Sequence, residues 1–265
     1  TFTGWDPAVG TMGNADMTFN AKFEAKTYNV KFMNGEVQHD ANTVKYDGAY
    51  TLPAAPTKDG YTFAGWVDAE GNAMPATHTT DGDVTFYAKW VTSAFDAKFY
   101  LDAAKTDLYD TKSVEFGAAI TAPAAPSKTG YTFKGWSLDG STVLADLGTM
   151  DTEGKDFIAV WKAANVSYLV KVYMMDVDGN YPDTPSRTQM GEAINGTEVT
   201  ITPEAIEHFT VDTEKSVLTT TILPYGTEFA VYYSRNEYAL TTVVDGVSNT
   251  ESYYYEAPVT APADP

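Results

Sequence analysis

The phrase Pro53-Ala-Ala-Pro-Thr-Lys-Asp-Gly-Tyr-Thr-Phe-Ala-Gly-Trp66 returns as Pro123-Ala-Ala-Pro-Ser-Lys-Thr-Gly-Tyr-Thr-Phe-Lys-Gly-Trp136, changed only at Thr57/Ser127, Asp59/Thr129 and Ala64/Lys134. A truncated copy, Thr1-Phe-Thr-Gly-Trp5, opens the chain. Self-similarity at a fixed period means an array of like units, not one large core. The 265 residues hold several such units. Small units bury a low fraction of their surface and need large side chains to be stable. The 18 Tyr, 13 Phe and 5 Trp supply them, because each aromatic ring buries a large area.

Short runs of apolar and polar alternation, the period of half-buried strands, recur at Met17–Phe23, Val84–Trp90, Asp156–Trp161 and Thr227–Tyr233. Each unit reads as an extended strand (Tyr28–Met33 or Phe95–Tyr100), a second strand (Thr43–Tyr46 or Ser113–Phe116) and a Pro-Ala-Ala-Pro connector. The Gly-Tyr-Thr-Phe-x-Gly-Trp strand, a polar variable loop and a closing strand follow. Around Pro53–Asp59, Pro123–Thr129 and Pro203–Glu207 a short helix or a turn is expected, kept brief by proline. Strict alternation would turn Trp66 away from Tyr61 and Phe63. Gly65 marks a bulge, which returns Trp66 to their face as a core anchor; the alternative is an exposed aromatic shelf. The expected fold is mainly β or small α+β, as an elongated tandem array. The units are 27–92, 93–165 and 166–236, flanked by a second half-repeat at 1–26 and a first half-repeat at 237–265.

With 36 acidic against 17 basic residues the net charge is −19. Nucleic acid needs a basic patch and anionic lipid attracts cations, so neither is an expected partner. The acidity reads as solubility and mutual repulsion, or as carboxylates for calcium. Without cysteine there is no disulfide frame and no thiolate metal site. No stretch approaches the roughly 18 apolar residues of a membrane span. The chain begins inside a repeat, so any leader or anchor is expected to have been removed or to lie outside it.

Gly60-Tyr61-Thr62-Phe63 with Gly65-Trp66 and Tyr87-Ala88-Lys89-Trp90, and Gly130-Tyr131-Thr132-Phe133 with Gly135-Trp136 and Ala159-Val160-Trp161, resemble the Listeria–Bacteroides repeat, also called the internalin B-type repeat. Through Val170–Tyr173 and Asp176-x-Asp178-Gly179-Asn180, unit 166–236 resembles a mucin-binding-protein-type (MucBP-like) repeat. These resemblances imply β-grasp-like modules in secreted or wall-attached bacterial surface proteins, acting as stalks, spacers or adhesion modules. They carry no catalytic residues. Ligand specificity is then expected in the loops between Trp66 and Val84 and between Trp136 and Asp156. The implied function is an extracellular structural or adhesive repeat segment, not an enzyme; the alternative is a glycan- or mucin-binding adhesion module.

No residue is assigned a catalytic, cofactor-binding or metal-binding role, and no cofactor is expected. His39, His78 and His208 fall in unrelated contexts with no recurring Ser or Asp partner, and read as surface or satisfied loop histidines. Asp176-Val-Asp-Gly-Asn180 starts like a calcium loop, but its twelfth position is Arg187, not Glu; Asp-Gly also signals a tight turn. Lys171 could form a Lys–Asn isopeptide crosslink beside an Asn and a carboxylate. Asn165-Val-Ser167 and Asn195-Gly-Thr197 are sequons, read as accidental.

The two flanking half-repeats are complementary. Pro262 to Pro265 lines up with Pro53 to Pro56, about five residues short of Thr1 in the repeat register. A half-module must cover its apolar face and pair its edge strands. The expected partner is therefore self: tail 237–265 of one copy completes head 1–26 of the next by strand complementation. The same features fit a segment of a longer chain with neighbouring repeats on both sides. An extracellular glycan or protein is the other expected partner.

Overall fold

The computed structural model describes residues 1–260. Among them it contains strands and no helix. In chain order the strands are β1 (Phe2–Asp6), β2 (Asn20–Phe23), β3 (Thr27–Asn34), β4 (Val37–Lys45), β5 (Tyr61–Val67), β6 (Val84–Thr92), β7 (Ala94–Tyr100), β8 (Leu108–Glu115), β9 (Tyr131–Ser137), β10 (Lys155–Ala163), β11 (Asn165–Met174), β12 (Arg187–Ile194), β13 (Glu198–Thr200), β14 (Phe209–Val211), β15 (Thr219–Thr221), β16 (Glu228–Arg235), β17 (Glu237–Val244) and β18 (Val247–Tyr254). Three four-stranded sheets follow one plan, ordered β4-β3-β6-β5, β8-β7-β10-β9 and β12-β11-β16-β14. Two-stranded sheets β1-β2, β13-β15 and β17-β18 complete the set. The all-β repeat architecture is the expected one. Its α component is absent among the described residues: the three connectors run as irregular chain, because proline withholds a donor and fixes φ.

The chain divides into two compact units, residues 1–98 with 110–122 and 146–156, and residues 99–109 with 123–145 and 157 onward. In the first unit β3 runs parallel to β6 (Phe32 opposite Phe86) and β5 antiparallel to it (Phe63 opposite Trp90, Trp66 opposite Ala88). The register shifts between Phe63 and Gly65, where Gly65 adopts φ +113°. That bulge is the one expected from the sequence, and it brings Trp66 inward. Val30, Phe32, Val44, Trp66 and Phe86 form the buried core. The Trp66 indole meets Phe32 and Phe63 edge-on, with ring centroids 4.9 and 5.3 Å apart. Trp66 and Trp136 are therefore core anchors and not an exposed shelf.

In the second unit Trp136 stands opposite Ala159, with the same shift between Val160 and Trp161. Its ring lies 4.9 Å from Phe99, which stacks on Phe157 at 5.0 Å. The third sheet builds its core on Val170, Val172, Ile222, Phe229, Val231 and Tyr233. β11 is parallel to β16, with Val170 opposite Phe229. No tryptophan takes part there: the last one in the chain is Trp161.

Candidate functional site at the module junctions

One residue joins each sheet to the next, and it hydrogen-bonds in both directions. Ser93 donates its N–H to the Gly60 carbonyl (2.9 Å), and its own carbonyl accepts from the Phe116 N–H (2.8 Å). Ala164 stands the same way between Gly130 (2.9 Å) and Asn195 (2.9 Å), and Asn236 between His208 (2.9 Å) and Tyr255 (2.9 Å). At the first such place the Lys26 carbonyl accepts from the Tyr46 N–H at 2.9 Å. Gly60, Gly130 and His208 share left-handed backbone, at φ +78°, +78° and +64°.

The glycines also make room. A Cβ on Gly60 would lie 2.3 Å from the Phe116 ring, and one on Gly130 would lie 2.6 Å from Pro224 Cβ and 2.8 Å from Asn195 Nδ2. At the third junction a histidine replaces glycine and stacks on Tyr255, with centroids 4.0 Å apart, while Nδ1 meets the Tyr238 hydroxyl at 2.9 Å. Arg235 closes that junction by donating to the carbonyls of Met175 (2.9 Å) and Tyr255 (2.7 Å). The connector lysines recur as well. Lys58 lies 4.0 Å from the Tyr61 ring centroid and Lys128 lies 4.8 Å from that of Tyr131, cation–π contacts of modest strength at exposed sites.

Two hairpins leave apolar faces open. In β1-β2, Trp5 stands opposite Ala21 and Phe2 opposite Phe23, the register of Trp66/Ala88 and Phe63/Trp90. Yet Trp5 is 45% exposed, against 6% for Trp66 and 4% for Trp136. In β17-β18, Leu240 lies four residues beyond its junction residue Asn236, as buried Val30 lies beyond Lys26 and buried Ala97 beyond Ser93; Leu240 itself is exposed. The connector match at Pro262 to Pro265 lies outside the described residues.

The residues singled out from the sequence are not brought together. His39 is exposed and bonds the Ala54 carbonyl at 2.9 Å. His78 is fully buried, not a surface residue: Nδ1 meets the Tyr50 hydroxyl at 3.0 Å and the ring packs on Tyr28. His208 is the junction residue described above. The 176–180 segment is a turn in which Asp176 Oδ1 accepts from the amides of Asp178 and Asn180. Among the described residues no group of three or more His, Cys, Asp or Glu is placed to hold a metal. Lys171 Nζ bonds Glu228 Oε2 at 2.6 Å. Asn195 is buried, with Nδ2 donating to the Gly130 carbonyl at 3.3 Å. Its role at the junction carried no local sequence signal.

Burial pushes the Tyr181 hydroxyl up to about 12, helped by its bond to Asp212 Oδ2 at 3.0 Å. The unfolded chain ionises tyrosine near 10. Between those two values the folded state holds a proton that the unfolded state has lost, so stability falls as pH rises. In Tyr181→Phe that part of the alkaline decline should vanish, read as a flatter thermal midpoint between pH 10 and 12. An unchanged slope would remove Tyr181 as its source.

The repeat geometry agrees with the comparisons to known proteins. A membrane protein of Evansella cellulosilytica is 31% identical over 186 residues, covering 68% of this chain and 26% of its own length. Internalin H of Listeria monocytogenes is 34% identical over 144 residues, covering 47% of this chain and 26% of its own. A Gly-rich membrane protein of Evansella cellulosilytica is 34% identical over 140 residues, covering 51% and 16%. The chain thus spans about a quarter or less of the curated relatives it matches. No helix among the described residues is long and apolar enough to cross a membrane. Two four-stranded sheets, each with a bulge at the glycine before a buried tryptophan, coincide with matches to one family model at residues 28–89 and 98–159, so this chain carries two tandem copies of the Listeria-Bacteroides repeat domain.

Proposed function

We propose that the chain is an extracellular, non-enzymatic repeat segment of a bacterial surface protein, structural or adhesive in role, and that its open hairpins join head to tail with further copies. Three features support this reading: the tandem repeat domains, relatives whose names are those of an internalin and of membrane proteins, and the recurring junction. The observation that carries head-to-tail joining is Trp5, exposed in the register where Trp66 and Trp136 are buried. The order β4-β3-β6-β5 places a β3-type strand beside each β6-type strand. In the terminal hairpin β2 is the β6-type strand, and the β17-β18 hairpin of a second copy supplies the β3-type strand. Its Leu240 would then cover the Trp5 face. Residues 166–236 enter this reading as a mucin-binding-protein-type repeat, on the Val170–Tyr173 and Asp176–Asn180 pattern, and a pull-down on mucin tests that part.

Light scattering after size exclusion tests the joining. The expected result is a mass rising with concentration through multiples of 28.8 kDa. A single mass of one chain at about 100 μM, where even weak complementation of a two-stranded edge is populated, would overturn it.

A further inference from the structure

The third sheet keeps the register of the first up to a definite residue and then departs from it. Phe209, Thr210 and Val211 stand opposite Arg235, Ser234 and Tyr233, as Tyr61, Thr62 and Phe63 stand opposite Thr92, Val91 and Trp90. In the first sheet Trp66 then faces Ala88 and Val67 faces Tyr87. In the third, Val217 bridges Ala230, which is three residues before Tyr233 as Tyr87 is three before Trp90. Ser216 therefore takes the place of Trp66, opposite Val231. The chain reaches it by a detour through 212–215, whose turn is held by Asp212 Oδ1 accepting from the amides of Glu214 and Lys215 at 3.1 Å. A second ring is lost as well. Val170 stands opposite Phe229 where Phe32 stands opposite Phe86.

In the third sheet, strands that match those around the indole border a cavity. Trp66 reaches across β3 to His39 on β4, with centroids 5.8 Å apart. Over the matching strands β11 and β12 lies a cavity of about 320 Å³. Val170, Val172, Val231 and Tyr233 line its apolar side, Gln189, Thr200 and Thr202 add polar groups to the lining, and Arg187 is paired with Glu204 at 2.9 Å. We propose that this cavity is a binding site for a tryptophan side chain presented by a partner polypeptide. The class of ligand follows from the two sister sheets, where an indole on an extended Gly-Trp segment occupies the corresponding place. Concave sites that combine an apolar wall with convergent polar groups are where such anchors bind, and an indole offers both a ring face and an N–H donor.

The probe is a peptide with the sequence of residues 61–67, Tyr-Thr-Phe-Ala-Gly-Trp-Val, carrying 5-fluorotryptophan and titrated with the 265-residue chain by fluorine NMR. Saturable binding is expected, with a dissociation constant of roughly 0.1–1 mM for one anchor. The version with alanine for tryptophan should not bind. Val170→Phe restores the ring found at Phe32 and should weaken binding at least tenfold. Ser216→Trp supplies the indole from within and should do the same, so the test survives if one variant fails to fold. No shift or broadening of the peptide's fluorine signal with the chain at about 1 mM, where a site of that affinity is at least half filled, would overturn the proposal, as would binding that both folded variants leave unchanged. Free 5-fluoroindole binding as tightly as the peptide would overturn the polypeptide as source of the ring.

Discussion

Gly60→Ala is expected to destabilise the first unit by about 2–6 kcal/mol. Two penalties add. At φ +78° a side chain is strained, by roughly 1–3 kcal/mol for a non-glycine residue held in that region. The new methyl would also stand 2.3 Å from the Phe116 ring, and forcing an extra carbon into a packed site costs typically about 1–3 kcal/mol. The ring cannot simply retreat, because the Phe116 backbone is held by Ser93, which is itself held by Gly60. Gly35 is the control. It has φ +61° but open space around its missing Cβ, so Gly35→Ala carries only the backbone part. Adding Phe116→Ala to Gly60→Ala should recover the steric share and leave the backbone share. Urea unfolding of the single and double variants measures both, and equal losses for Gly60→Ala and Gly35→Ala would refute a junction role for Gly60.

That junction also shows where sequence reading stops. The Gly-Tyr-Thr-Phe-x-Gly-Trp phrase announced a strand, and Gly65 announced its bulge, because both signals are local: period two and a residue free at positive φ. The inward turn of Trp66 followed. Gly60 carried no such local signal. Its partner Phe116 belongs to the next repeat, and only the folded chain brings them together. Asn195, read as an accidental sequon, is the counterpart of Phe116 at the next junction. His78 was hidden for a similar reason. Nothing near it in sequence indicates the Tyr28 and Tyr50 rings that enclose it. The short helices considered at the connectors did not form, since nothing but a brief proline-limited segment argued for them. In the third sheet the want of a tryptophan beyond Trp161 is legible in the sequence, but its consequence is not. The detour at 212–215 shifts the numbering, so Ser216 can be matched to Trp66 only through its position opposite Val231.

Trp66→Ala and Trp5→Ala should give opposite results from the same chemical change in the same register. Trp66 is 6% exposed and packs on Phe32, Phe63 and His39. Its removal leaves a cavity among aromatic rings and should cost about 3–5 kcal/mol. That is a large part of what a small module possesses, so the first unit should unfold at far lower urea. Trp5 is 45% exposed, with its ring edge-on to Phe2 of the same hairpin at 5.5 Å. Its removal should shift the stability of the single chain by about 0.5 kcal/mol or less, as for ordinary surface positions. Head-to-tail joining, by contrast, needs that indole as the anchor under Leu240 of the next copy, and Trp5→Ala should hold the mass at that of one chain at every concentration. Both readouts are needed together, urea midpoint and mass against concentration. If Trp5→Ala weakened the chain as much as Trp66→Ala, the hairpin would be completed from within. If it left association intact, the copies would meet through some other surface.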